Sequence, residues 1–405
     1  MYRVLVASDL HIGDKAHCAT MMPHPGVSHE NLGLLDGFNK LVKSIDLPID
    51  AIFFPGDLTN ASQPSEVTKF DSVANQITSL CGLKLERVYA TFGNHDSDWI
   101  VQKNASPAED RKIYFDRRYD NIKNSKVLKK ILSRAKGDLY SDMYALWDDE
   151  ILVLTINTAH SERFDDPIKH GQVARDVLDA IRTKHSSTLE SRDKFKILMI
   201  HHHPLLYSNL VKLWKDYSAI QEAEVLLGFA DEFGFDLVIH GHRHAPDYKA
   251  YLSQTAKQTI CFCCGSFSAR LSPALMGSVS NQVHLLELEG RDSTTGVVRG
   301  SVRSWSFSGA GGWRKSESND GLEHEIRFGP LHHENAILDI LRSKIGSKIS
   351  ARGFVTVKEL LAESEVVRYT RDRVLMKLVS EVASELGLDV RGTLPEEAVI
   401  LGGSA

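Results

Sequence analysis

The sequence is organised around short apolar runs that end in polar, glycine-containing segments. These runs are rich in β-branched or bulky residues and have the length of buried strands. They occupy residues 4–7, 51–54, 87–91, 151–156, 197–200 and 237–239. Amphipathic helical patterns lie between them, for example at residues 34–45 and 224–233. Because strands alternate with helices, the sequence predicts a layered α/β domain.

The length and the net charge of the chain limit the classes of protein to which it can belong. The chain has 405 residues and a net charge of -5, and a prior of roughly 150 residues per domain suggests two or three units. The acidic balance argues against a generally basic nucleic-acid binder, although a local basic patch remains open. No run approaches the ~20 apolar residues of a membrane span, and residues 2–7 lack the features of a signal peptide. We therefore expect no membrane association and a cytoplasmic location.

The cysteines support a reducing location. Their number, five, is odd, and Cys261, Cys263 and Cys264 crowd into one apolar run. Such close neighbours make a poor disulfide framework and do not have the spacing of a zinc site. The pattern favours buried, reduced thiols.

Two segments interrupt the strand–helix alternation. Residues 99–147 form an insertion with helical patterns and many Arg and Lys side chains. The insertion is either a solvated helical face or a cap that helps to hold an anionic substrate. Residues 308–330 begin with a glycine-rich stretch and are predicted to be a linker.

The last part of the chain, residues 331–405, is predicted to be a small and mostly helical domain. A first amphipathic helix covers residues 334–345, Thr356 and Glu359 fit a capping box for a second, and a third is stopped by Gly387. A short strand at residues 398–401 follows. This set of elements fits a winged-helix-like module, or else an arm for packing or homo-oligomerisation, which the nearly neutral charge favours.

Seven polar residues stand just beyond the apolar runs. If these runs are strands of an α/β sheet, the residues collect at its carboxyl edge, where such proteins bind ligands. The seven residues are Asp9, His11, Asp57, Asn94, His202, His242 and His244. Carboxylate and amide oxygens together with imidazoles suit Mn, Fe, Zn, Co or Ni. A carboxylate such as Asp57 can bridge two ions, and two ions about 3.5–4 Å apart can activate water and stabilise a phosphoryl transfer.

The order of these motifs resembles the calcineurin-like metallophosphoesterase superfamily. The motifs are Asp9-x-His11, Gly56-Asp57, Gly93-Asn94-His95-Asp96, His202-x-Pro204 and Gly241-His242-x-His244. The resemblance implies a catalytic domain of two mixed β-sheets flanked by helices, over residues 1–307. Residues 56–60, followed by Glu66, resemble the class III cyclic-nucleotide phosphodiesterase branch.

The resemblance also implies roles for individual residues. Asp9, His11 and His244 would hold one divalent ion, and Asn94, His202 and His242 a second. Asp57 would bridge the ions, His95 would assist the leaving oxygen, and Asp96 would orient His95. Spacing alone does not exclude the neighbours His201, His203 and His240. His202 is favoured because the family ligand lies two residues before the proline.

The resulting hypothesis is a phosphodiesterase with two divalent ions, Mn²⁺ favoured, acting on a nucleotide-like substrate. The alternatives are a DNA or RNA nuclease and a phosphomonoesterase. A purely structural metal site is a further reading, and the intact ligand set argues against it. No phosphate loop, nucleophile elbow or dinucleotide motif indicates another cofactor. Specificity is expected to lie in residues 18–30 and in the insertion.

Overall fold

The computed structural model is described for most of the chain. The described residues are 1–13, 33–98, 101, 117–162, 170–207, 218–253, 257–269, 271, 279–308 and 312–402. The chain divides into two compact units. The larger unit comprises residues 2–286 and 303–324, and the smaller comprises Met1, residues 287–302 and residues 325–405.

The first sheet begins with three parallel strands that carry the first three polar motifs. These strands are β1 (Tyr2–Val6), β2 (Ala51–Pro55) and β3 (Val88–Thr91). The sheet also contains β10 (Asn281–Arg291), β11 (Val298–Ser308), β12 (Gly312–Lys315) and β13 (Glu325–Phe328). Its order is β12-β11-β10-β1-β2-β3, and β13 pairs with β11. Helices α1 (Leu34–Ile45) and α2 (Pro64–Leu80) connect the parallel strands.

The second sheet has a parallel centre and antiparallel edges. Its strands are β4 (Tyr144–Asp148), β5 (Leu152–Ile156), β6 (Lys196–Met199), β7 (Leu237–His240), β8 (Asp247–Leu252) and β9 (Gln258–Cys263). Their order is β4-β5-β6-β7-β9-β8. Strands β5, β6, β7 and β9 run parallel, whereas β4 and β8 pair antiparallel. Helix α3 (Lys126–Leu132) packs on α2 and β3 of the first sheet, whereas α4 (Arg175–Leu189) and α5 (Ala223–Phe233) contact each other and accompany the second sheet. Two mixed sheets with helices confirm the predicted fold class.

Local sequence explains how α2 begins beside the loop after β2. Pro64 occupies the first turn, where its missing N–H costs nothing. The Glu66 carboxylate accepts hydrogen bonds from the backbone N–H groups of Ala61 (2.8 Å) and Gln63 (3.1 Å). These bonds satisfy donors at the helix start and attach the loop to the helix.

The C-terminal elements of the smaller unit share an apolar core. The helices are α6 (Glu334–Arg352), α7 (Val357–Glu363), α8 (Glu365–Arg368) and α9 (Asp372–Glu385). The strands β14 (Phe354–Thr356), β15 (Asp389–Arg391) and β16 (Val399–Leu401) form an antiparallel sheet of order β14-β16-β15. Leu341, Leu360, Leu378 and Ile400 are among the fully buried residues that join helices and sheet. The capping box predicted at Thr356 is present.

The structure departs from the predicted segment boundaries in two places. The predicted linker, residues 308–330, contains β12 and β13, and the Trp313 indole N–H in β12 donates to the Leu34 carbonyl (3.0 Å). The insertion, residues 99–147, ends in β4, where Trp147 is buried. Both departures have one cause: β4, β12 and β13 are short strands stabilised by pairing with β5 or β11, and a short strand has little periodicity of its own.

Two further expectations concern burial and membranes. Cys261, Cys263 and Cys264 are buried and free, as predicted, whereas Cys18 lies outside the described residues. Burial raises the pKa of the Cys261 thiol to about 12. Within the described part of the chain, no helix is long and apolar enough to span a membrane.

Candidate metal centre

Most of the predicted site residues gather at the carboxyl ends of the parallel strands. Asp9 and His11 follow β1, Asp57 follows β2, and Asn94 follows β3. The pair His242 and His244 follows β7 in the second sheet. The structure therefore brings together six of the seven predicted metal ligands, as expected for the ligand-binding edge of α/β sheets.

The backbone at these residues adopts a conformation that is unusual outside glycine. Asp9 (φ 52°), His11 (φ 46°), Asp57 (φ 51°), His242 (φ 71°) and His244 (φ 54°) are all left-handed. Each such residue costs of order 1–3 kcal/mol, and such residues cluster at functional sites. The turns let the chain leave each strand and aim consecutive polar side chains into one pocket.

One group of ligand atoms surrounds His11. Its Nε2 lies 3.3 Å from Asp57 Oδ2 and 3.0 Å from His244 Nε2. His244 Nε2 in turn lies 3.3 Å from Asp9 Oδ1. The Asp9 carboxylate is held by the Ser8 hydroxyl (2.6 Å) and the His242 backbone N–H (3.0 Å). Asp9, His11, Asp57 and His244 each direct one ligand atom toward a common point, with all four atoms within 4.8 Å of one another.

A second group lies on the other side of Asp57. Asp57 Oδ2 is 3.2 Å from His201 Nε2, which is 3.3 Å from His242 Nδ1. His242 Nδ1 also lies 3.2 Å from the Asn94 side-chain oxygen. Asp57, His201 and His242 form the second cluster of converging ligand atoms. The Asp57 carboxylate is common to both clusters.

The structure places His201, rather than the expected His202, beside Asp57. The Thr158 hydroxyl accepts from the His202 backbone N–H (3.2 Å) and lies 2.9 Å from His202 Nδ1. His202 Nε2 faces the Glu162 carboxylate at 2.5 Å. The two ring nitrogens of His202 therefore lie next to Thr158 and Glu162, although the contact of Nε2 with Glu162 lacks the geometry of a hydrogen bond. His202 instead packs on the His242 ring, with centroids 4.3 Å apart.

Glu162 and Thr158 are neighbours of the site that the sequence analysis did not identify. Glu162 is buried, with 4% of its surface exposed. The buried Arg118 guanidinium donates to the Glu162 backbone carbonyl (3.0 Å) and to that of His160. This cation from the predicted insertion therefore braces the turn that carries Glu162. The only sequence signal was the position of Thr158 after an apolar run.

The electrostatics of the site suit a bound cation. Burial alone would lower the pKa of His201, but the Asp57 carboxylate dominates and raises it to about 10. Burial alone would raise the pKa of Asp57, but the charges of His201, His95 and His11 hold it well below its usual range. Burial lowers the pKa of His11 and of His242, leaving neutral imidazoles. Neutral imidazoles and ionised carboxylates are the forms that bind divalent metals. His11, His242 and Asp57 are in these forms and fit a metal site, whereas His201 must release its proton when it binds an ion.

His95 and Asp96 occupy different environments. The His95 backbone N–H donates to Asp57 Oδ1 (2.9 Å), and its ring Nδ1 lies 2.6 Å from the Asn60 carbonyl. The buried Asp96 carboxylate accepts from the backbone N–H groups of Thr59 (2.8 Å) and Gly93 (3.0 Å). Burial, and then the Asp57 charge, raise the pKa of Asp96 to about 6. These contacts show Asp96 bracing the loops after β2 and β3, while the Asn60 carbonyl orients the His95 ring.

Two glycines allow the close approach of these loops. A Cβ on Gly93 would collide with the Asp57 carboxylate and lie 2.7 Å from His201 Nε2. A Cβ on Gly241 would collide with the side chains of Ser8 and Asp9. Only glycine fits at either position.

His240 and the described part of the basic insertion, to which the sequence also drew attention, lie outside the two clusters of ligand atoms. His240 is fully buried and its Nε2 bonds to the Tyr207 hydroxyl (2.8 Å), so it is a packed histidine. Residues 18–30, where specificity was expected, lie outside the described residues. In the insertion, Lys129 and Lys130 are exposed on α3, which agrees with the solvated-face reading for this helix.

Comparison with known proteins identifies the family. Residues 2–246 match the family model for calcineurin-like phosphoesterases. No curated protein matches the chain. Among solved structures, a protein described as a 5′-nucleotidase from Staphylococcus aureus is 13% identical, with a TM-score of 0.39, over 74% of this chain and 53% of that one. The chain thus spans about half the length of that protein.

Two smaller solved proteins are similar over most of their length. A single mutant of Vps29 from Entamoeba histolytica is 11% identical, with a TM-score of 0.32, over 81% of this chain and 99% of that one. GAP50 of Plasmodium is 13% identical, with a TM-score of 0.36, over 78% and 88%. Because the family model covers more than half of the residues and the metal-site geometry is in place, the chain belongs to the calcineurin-like phosphoesterase family.

Proposed function

We propose that this phosphoesterase is a phosphodiesterase with two divalent ions, preferably Mn²⁺, acting on a nucleotide-like substrate. The observation that carries the proposal is the position of Asp57. Its Oδ2 lies 3.3 Å from His11 Nε2 and 3.2 Å from His201 Nε2, between the two clusters of ligand atoms. A carboxylate shared by two clusters is what a bridged pair of ions requires.

The distances between the ligand atoms divide the residues into two groups, one for each ion. Asp9, His11 and His244 would hold one ion, and His201, His242 and Asn94 the other, with Asp57 between them. His201 takes the place first given to His202. Bound ions of this kind lower the pKa of a coordinated water and neutralise charge on the phosphoryl oxygens.

His95 is proposed to donate a proton to the leaving oxygen. Its ring Nδ1–H donates to the Asn60 carbonyl and its backbone N–H to Asp57, which fixes the ring beside the site. The side chain is half-buried, so substrate can reach it. An alkoxide leaving group departs more easily when a positioned acid protonates it.

The preference for a diester and a nucleotide-like substrate rests on the resemblance of residues 56–60 to the cyclic-nucleotide branch. The structure gives these residues a defined arrangement, since Asn60 orients His95 and Glu66 attaches the following loop to α2. The free cysteines support the expected cytoplasmic location, because reduced thiols fit a reducing compartment.

The test compares hydrolysis of bis-p-nitrophenyl phosphate and p-nitrophenyl phosphate with added Mn²⁺. We expect diester cleavage that depends on the metal and falls by roughly 10²–10⁴-fold in His95→Asn. His185→Asn is the matched control, because His185 bonds to Tyr144 in the second sheet, outside the site. It should retain wild-type activity.

Each other outcome counts against a stated part of the proposal. Cleavage of the monoester alone would make the protein a phosphatase. Full activity of His95→Asn would contradict the proposal that His95 protonates the leaving oxygen. Bound metal without turnover of either ester or of cyclic nucleotides would contradict the enzymatic function.

A further inference from the structure

The C-terminal elements of the smaller unit follow one another in the order helix, strand, helices, strand, strand. Helix α6 is followed by β14, then by α7, α8 and α9, then by the β15–β16 pair. The three strands form one antiparallel sheet in which β16 lies between β14 and β15. This is the order of elements in a winged helix, in which the last helix of a helix-turn-helix is the one that contacts DNA.

We propose that residues 334–402 form a winged-helix module that binds duplex DNA through the exposed face of α9. The proposal goes beyond the phosphodiesterase activity and does not depend on it. The phosphoesterase site belongs to the larger unit, whereas every residue invoked in this proposal belongs to the smaller one.

Burial in α9 shows which face is available. Leu375, Leu378, Val379, Val382 and Ala383 are buried in the core of the smaller unit. Successive residues of a helix are 100° apart, so the opposite face is made of residues three and four positions apart. The exposed residues of the helix are Arg373, Lys377, Ser380, Glu381, Ser384 and Glu385, so the basic residues lie in its first half and the acidic ones in its second half. Arg371, at the start of the helix, is also exposed.

The composition of this face fits a DNA backbone. Its first two turns carry Arg371, Arg373 and Lys377, which can pair with phosphates or base edges. The acidic neighbour Asp372 is only half-exposed, and its Oδ1 lies 3.5 Å from the Arg327 guanidinium. Lys377 pairs with Glu334 at 3.2 Å, but both side chains are more than half exposed. Such solvent-exposed pairs are weak and exchange readily for a phosphate.

Acidic residues limit the contact to α9. Glu396 and Glu397, between β15 and β16, are exposed and would repel phosphates. Glu381 marks the far edge of the basic part of α9. This arrangement predicts a small footprint of about three phosphates, so the logarithm of the binding constant should fall with a slope of about -2.7 against the logarithm of salt concentration.

The experiment measures fluorescence anisotropy of a labelled DNA duplex with the full chain in EDTA, which removes catalysis from the readout. Between about 50 and 200 mM salt, affinity should fall about 40-fold. The double variant Arg373→Gln/Lys377→Gln should reduce the slope by about two and weaken binding at low salt by roughly tenfold or more. The control Lys344→Gln/Lys348→Gln makes the same charge change on α6, where both lysines pair with Glu363, and should bind like the wild type.

Three results would overturn the inference. These are no binding at low salt, equal losses in the two double variants, or equal binding of single-stranded DNA. Circular dichroism of both variants checks that the exposed substitutions leave the fold intact. Because no metal is present, failure here leaves the ester-hydrolysis test untouched, and failure of that test leaves this one untouched.

Discussion

The two units differ in which types of residue adopt positive φ angles. In the larger unit, Asp9, His11, Asp57, His242 and His244 all adopt positive φ angles despite their side chains. In the described part of the smaller unit, positive φ angles occur only at glycines, among them Gly353 after α6 and Gly387 after α9. Glycine ends a helix at no steric cost, whereas a ligand position needs a side chain. Five of the nine described non-glycine residues with positive φ in the larger unit are candidate metal ligands, so most of this backbone strain lies where polar atoms converge.

The largest effect should come from the shared carboxylate. Asp57→Asn keeps the shape but removes the charge between His11 and His201, so we expect weaker metal binding and hydrolysis reduced by roughly 10³-fold or more. Metal content and rate are measured together. The control Asp149→Asn alters a carboxylate that bonds to Tyr89 and Arg134 outside the site. Normal activity of Asp57→Asn would refute the bridging role.

The next effect concerns stability in the smaller unit. Leu378 is fully buried in α9, and Leu378→Ala should lower the free energy of unfolding of that unit by about 2–5 kcal/mol. Urea denaturation measures the change. The ester-hydrolysis rate of the folded protein should stay within about twofold of wild type, since the site belongs to the larger unit. A large loss of the hydrolysis rate would show that the core of the smaller unit affects the site in the larger unit, and that the two units are not independent.

The adjacent residues His201 and His202 allow a comparison of two matched substitutions. His201→Gln should weaken metal binding by about 100-fold, because His201 Nε2 faces Asp57. His202→Gln should cost less than about tenfold, because the His202 ring faces Thr158 and Glu162 instead. Isothermal titration with Mn²⁺ distinguishes the two. The reverse order of effects would restore His202 as the ligand.

The smallest effect should be the loss of one helix cap. The Thr356 hydroxyl accepts from the backbone N–H of residue 359 at 3.2 Å, and Thr356→Ala should destabilise the smaller unit by about 1 kcal/mol. Thr393→Ala is the matched control at an exposed position between β15 and β16 and should be neutral. Equal stability of the two variants in urea would show that the cap is dispensable.

The sequence predicted the buried strands well because their apolar runs are continuous. Strands β1, β2, β3, β5, β6 and β7 lie within one or two residues of the predicted positions, and α1 matches at both ends. The strands that the sequence did not predict include the half-exposed β8, which alternates only weakly, and the buried edge and inner strands β4 and β9. Such strands depend on their partners for stability, so local sequence carries little signal for them.

In the candidate site, too, local sequence predicted some features and the fold determined others. Sequence alone determined which chemical groups collect at the carboxyl edge, because each follows a strand and parallel strands end together. The choice between His201 and His202 was not local, since adjacent histidines have nearly the same sequence environment. Tertiary structure decided which ring lies beside Asp57: His201 Nε2 is 3.2 Å from Asp57 Oδ2, whereas His202 faces the Thr158 hydroxyl and the Glu162 carboxylate, more than 35 residues away. A side chain's direction depends on the partners that satisfy its polar atoms when it is buried, and these partners come from the fold.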